Sequence, residues 1–140
     1  MRLLQLSPFL FALACGLGGC HQPAPVPDPF VHDPRAMQWD DLPVPAAYTL
    51  DQKESYAYRG AVRTADLVYY GGADVVETER FFAESLPANG WTAVRATGTR
   101  RREMLFRKDA QEALVTVVPE GGRTTVRIRL RPRGATETKS

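Results

Sequence analysis

The stretch "ADVVETERFFAESLPANGW", Ala73 to Trp91, decides the fold, because it is where the chain changes its hydrophobic period. Val75, Phe82 and Leu86 recur near one face of a helical repeat with Thr78 between them, while Glu77, Arg80 and Glu84 fall largely elsewhere. Asp74, followed three residues later by Glu77, has the spacing of a capping box with Asp in place of Ser or Thr. Pro87 disfavours the helical conformation at Leu86, so the helix is expected to end there, and Asn89–Gly90 adds a stop signal.

The flanks of this helix read as strands. "SYAYRG" (Ser55–Gly60) and "VRTADLVYYG" (Val62–Gly71) are rich in Tyr and Val, with Gly60 punctuating a hairpin. Beyond the helix, "WTAVRAT", "EMLFRKD", "ALVTVVP" and "TTVRIRLRP" are joined by short polar or Gly-containing connections, as in an antiparallel meander. The expected fold is α+β: an antiparallel sheet of five to six strands with one helix packed on one face, in ββαβββ order.

In the last of these strands Val126, Ile128 and Leu130 alternate with Arg127, Arg129 and Arg131, so one face is apolar and the other cationic. The apolar set is expected to pack under the helix and the arginines to line the opposite face near Arg107. As a plain surface, such arginines solvate the sheet and discourage edge pairing. As a site, Arg127, Arg129 and Arg131 bind an anionic partner: lipid headgroups, an acidic polysaccharide or an acidic protein.

Composition removes several function classes. The 140 residues carry 18 Lys and Arg against 16 Asp and Glu, so no global charge argument for nucleic acid follows. The two histidines, His21 and His32, both lie in a proline-rich segment ahead of the strands. Ser–His–Asp and Cys–His catalysis therefore lack their base in the folded part. No Gly-rich phosphate loop or zinc-ligand spacing is present, so no metal, cofactor or catalytic residue is expected. Glu77, Glu79 and Glu84 could supply a carboxylate pair, but on a helix they read as a solvated face. Trp91, Phe81 and Phe82 read as core rather than as a ligand groove, given what their burial contributes.

The N-terminus carries a separate message. Arg2 is the only charge in the first 20 residues, and Leu3–Ala14 is apolar but for Gln5, Ser7 and Pro8. A dozen such residues fall short of the roughly 20 needed to span a bilayer, and match a secretory signal peptide instead. The run closes on Leu17–Gly18–Gly19–Cys20, which resembles the lipobox of bacterial lipoproteins. Cys15, preceded by "ALA", fits that pattern less well. The resemblance implies cleavage before Cys20, a diacylglycerol on its thiol and acylation of the new amino terminus; a thiolate is the nucleophile this chemistry needs. His21 follows, not the Asp that retains many enteric lipoproteins in the inner membrane, so the resemblance favours the outer membrane where a cell has two.

Seven of the 11 prolines lie between His21 and Ala47, which suits an extended spacer. The expected organisation is therefore a signal peptide at 1–19, a lipidated Cys and tether at 20–47, a single domain at 48–133 and a flexible tail at 134–140. Pro43–Val44–Pro45, the pair Phe81–Phe82 and the helix exit Leu86–Pro87–Ala88–Asn89–Gly90–Trp91 resemble a small lipoprotein-associated bacterial domain of uncharacterised function. Phe82 stands where that group carries Tyr. The resemblance spans roughly 40–130 and implies an envelope location and a similar fold, but lends no activity.

Two functions remain in view. One is a membrane-anchored, non-enzymatic binding or assembly module, attached through lipid on Cys20 and facing periplasm or exterior, with an anionic envelope component or envelope protein as partner. The other is a small carboxylate-dependent hydrolase acting on cell-wall or surface polymers, for which a buried acidic pair with opposed pKa values would speak.

Overall fold

The computed structural model describes residues 30–31 and 37–135. The signal segment, Cys20, both histidines and residues 136–140 lie outside the described residues.

The strands are β1 (Phe30–Val31), β2 (Thr49–Leu50), β3 (Tyr56–Arg59) and β4 (Arg63–Gly71), then helix α1 (Val75–Ala88), then β5 (Thr92–Thr97), β6 (Arg102–Lys108), β7 (Gln111–Glu120) and β8 (Arg123–Pro132). They form one antiparallel sheet in the order β1-β3-β4-β8-β7-β6-β5, with β2 also on β4. The α+β class and one helix among the described residues agree with expectation; the ββαβββ order does not. Four strands follow the helix, and β1 and β2 are two-residue pairings too short for alternation to reveal.

The strands β2 and β3 run along the same partner, interrupted by a turn. Asp51 Oδ1 accepts from the amides of Lys53 and Glu54 at 2.9 and 3.2 Å, folding the chain out. Ser55 Oγ then takes the Val68 amide at 2.9 Å, so β4 keeps a partner where the ladder lapses.

Helix α1 starts as its sequence dictates, with Asp74 Oδ1 accepting from the Val76 and Glu77 amides at 2.7 and 3.4 Å. Its end is a correction. Pro87 sits inside the helix, which continues to Ala88. Only the bond from residue 87 to Ala83 is forfeited, and Ala83 is exposed, where water can take over. Termination is done by Gly90 at φ 86°. The Gly90 amide reaches Pro87 O at 3.0 Å and the Trp91 amide reaches Leu86 O at 3.1 Å, a Schellman pair that swings Trp91 back under Leu86.

One face of the sheet carries the core. Ala65, Leu67 and Tyr69 of β4, Val126, Ile128 and Leu130 of β8, Val115 and Val117 of β7, and Met104 and Phe106 of β6 all point inward, against Phe82, Leu86 and Trp91. The buried Thr78 hydroxyl is satisfied by Tyr48 Oη at 2.7 Å and by Asp74 O at 2.7 Å.

The domain boundary also moves. Met37 is 0% exposed and Leu42 5%, with Trp39 and Val44 packed beside them, so the folded unit begins well before residue 48. The segment is proline-containing but not a spacer: its apolar side chains cover inner sheet surface that the 14-residue helix leaves open.

Candidate anion-binding face

The other face of the sheet is where charge collects. Since β8 lies between β4 and β7, its outward residues sit in mid-sheet: Arg129 opposes Asp66 on one side and Leu114 on the other. They therefore guard no edge. Val126, Ile128 and Leu130 are buried beneath, as the alternation requires.

Two carboxylates form the floor of this face. Asp66 receives Arg127 Nε at 2.6 Å and lies 3.6 Å from Arg129 Nε. Glu112 receives Arg107 Nε at 2.9 Å and lies 3.6 Å from Arg131 Nε. The acidic side chains are 12% and 8% exposed, whereas the four guanidinium partners range from 29% to 40%. Each sunken carboxylate thus hydrogen-bonds one guanidinium and lies within ion-pair reach of a second. Arg107, expected near the row, joins it through Glu112. What sequence reading missed were Asp66 and Glu112 themselves, which lie on different strands and carry no mutual spacing; only an acid at an outward position of a predicted strand could have flagged them.

Arg101, at the turn before β6, pairs with Glu103 at 2.8 Å and overhangs the same face. Two adjoining depressions, about 360 and 470 Å³ in volume, meet there and share Arg101 and Arg129. Thr116 and Val118 lie in the first and Leu114 and Arg95 in the second.

A second polar cluster, at the end of the sheet, is a clasp. Arg63 grips Asp41 with Nη1 and Nη2 at 2.8 Å each, Lys108 Nζ reaches the same carboxylate at 3.0 Å, and Trp91 Nε1 donates to the Asp41 carbonyl. The Arg63 bonds, aided by Lys108 and opposed by burial, hold the Asp41 carboxyl down at about 2. Arg63 also lies 5.3 Å from the centre of the Trp39 ring. These contacts tie the 37–42 segment to β4, β6 and the helix exit.

The remaining sequence candidates separate cleanly. Trp91 and Phe82 are core, and Phe81 packs edge-on against Phe82 at 5.4 Å. Glu77 and Glu84 are exposed, while Glu79 pairs with Arg102 at 3.3 Å. Burial of Tyr69 pushes its phenol up to about 12, leaving it neutral. Among the described residues, no group of three or more His, Cys, Asp or Glu is placed to hold a metal, and no helix is long and apolar enough to cross a membrane. No protein-family model, curated protein or solved structure matches this chain.

Proposed function

We propose that this chain is a lipid-anchored envelope lipoprotein whose α+β domain is a non-enzymatic binding or assembly module. The lipid on Cys20 attaches it to the membrane, the outer one where two exist, and the arginine face meets an anionic envelope component rather than nucleic acid. The observation that carries this reading is the two-to-one arrangement of Arg127 and Arg129 on Asp66, and of Arg107 and Arg131 on Glu112. A surface built only for solubility needs no such order; hydrogen bonds to buried acids fix the direction of Arg127 and Arg107 on a face where arginines gather.

The anchor is tested by membrane fractionation and mass spectrometry of the mature N-terminus. Wild type is expected to begin at an acylated Cys20 and C20S to stay unprocessed and unlipidated; a mature chain starting elsewhere overturns the lipoprotein reading. The face is tested by binding of the chain to short polyphosphate across a salt series. R127Q/R129Q/R131Q should lose the salt-sensitive binding, and a wild type that binds no polyanion at low salt refutes the anionic partner.

A further inference from the structure

The arginine face is continuous with a pair of exposed aromatic rings. Strand register runs one outward row across six strands: Tyr56, Asp66, Arg129, Leu114, Leu105 and Arg95. At about 4.8 Å per strand step this row spans roughly 24 Å. Tyr56 and Tyr58 stand at its β3 end, 40% and 39% exposed, where most large apolar side chains of this domain are buried. Tyr58 lies across Gly60, where the absence of a β-carbon leaves room for its ring.

We propose that the anionic partner is a linear acidic polysaccharide, laid across the strands so that its carboxylates meet the arginines while one or more sugar rings stack on Tyr56 and Tyr58. This rests on the reading of the arginine face given above. Three features select that chemistry. A pyranose ring shows a C–H face that an aromatic ring covers well, and it carries hydroxyls that a phenol edge can meet. The two depressions beside Arg129 share Arg101 and are lined in turn by Arg127 and by Arg95 and Arg131, a run of cations that can meet successive carboxylates. The exposed large apolar side chains of this row are aromatic; the others among the described residues are Val76 on the helix and Val94 on β5. Arg127 and Arg107, hydrogen-bonded to Asp66 and Glu112, lose little freedom on binding, which favours a repeating ligand with fixed charge spacing.

The probes are oligogalacturonate, polyphosphate of matched charge, a neutral dextran fragment and phosphatidylglycerol vesicles, titrated against the full chain at low and moderate salt. Oligogalacturonate is expected to bind more tightly than polyphosphate, dextran not at all, and vesicles no better in wild type than in R127Q/R129Q/R131Q, because lipid on Cys20 partitions without the face. The variant Y56A/Y58A should weaken oligogalacturonate binding by about tenfold, or about 1.4 kcal/mol, and leave polyphosphate binding unchanged. Y56F/Y58F, which keeps the rings, should retain it. If R127Q/R129Q/R131Q loses both polyanions while Y56A/Y58A loses neither, the face is a generic polyanion surface and the glycan is refuted although the arginine reading stands. Vesicle binding that R127Q/R129Q/R131Q loses assigns the face to lipid and overturns the proposal. Binding of neither polyanion by wild type overturns both readings of the face.

Discussion

Replacing Asp41 by Asn tests the clasp by charge alone, because residue 41 keeps its backbone carbonyl bond to Trp91 Nε1. Asp41 normally titrates near 3.8 and is held at about 2, chiefly by the two Arg63 bonds and then by Lys108. A depression of nearly two pH units corresponds to about 2.4 kcal/mol at about 1.36 kcal/mol per unit. The Asp41 side chain is 23% exposed and that of Arg63 28%, so solvent screens part of it, and about 1–2 kcal/mol is the fair expectation. The folded carboxyl binds its proton more weakly than the unfolded one, so this stability is fully present above the unfolded value and is lost as pH falls toward 2. Urea unfolding of wild type and D41N, followed by tryptophan fluorescence from pH 7 to pH 2, measures it. D41N should be less stable by about 1–2 kcal/mol at pH 7, with the two curves converging between about pH 5 and pH 2. A gap that stays constant down to pH 2, or no gap at pH 7, refutes the claim that the ionised carboxylate holds the lead-in segment to the sheet.

A chain beginning at residue 48 should be less stable than one beginning at residue 30 by about 3–6 kcal/mol, from the loss of buried Met37 and Leu42 at about 1.5–3 kcal/mol each. Equal urea midpoints and slopes for the two chains would show that the segment adds nothing to the core. Phe82→Ala and Trp91→Ala should each cost about 3–5 kcal/mol in thermal or urea melts, since the rings are 0% and 2% exposed. A melt unchanged in both variants would place these rings outside the core.

Local periodicity made much of this protein legible before its structure. The helix around Phe82, its cap at Asp74, the meander from β5 to β8, and the split of β8 into an apolar and an arginine face all follow from residues within a few positions of one another. Side-chain direction along a strand or helix is set by backbone geometry alone, so the pattern carries it. The helix end was misread for a local reason too: Pro87 costs little in a last turn whose lost acceptor faces water, and Gly90 does the terminating.

Tertiary structure decided what shares a surface. Lys108 meets Asp41 across 67 residues, and Arg127 meets Asp66 across 61. No spacing in the chain encodes those pairs, because they exist only once β8 slots between β4 and β7 rather than at an edge. That placement turns three alternating arginines into a charged face with a carboxylate floor, and brings Tyr56 into the row of Arg129. It equally recruits Met37 and Leu42, read as tether from their prolines, into the core. Composition reports how stiff a segment is, but whether it packs depends on the apolar surface that the rest of the sheet leaves uncovered.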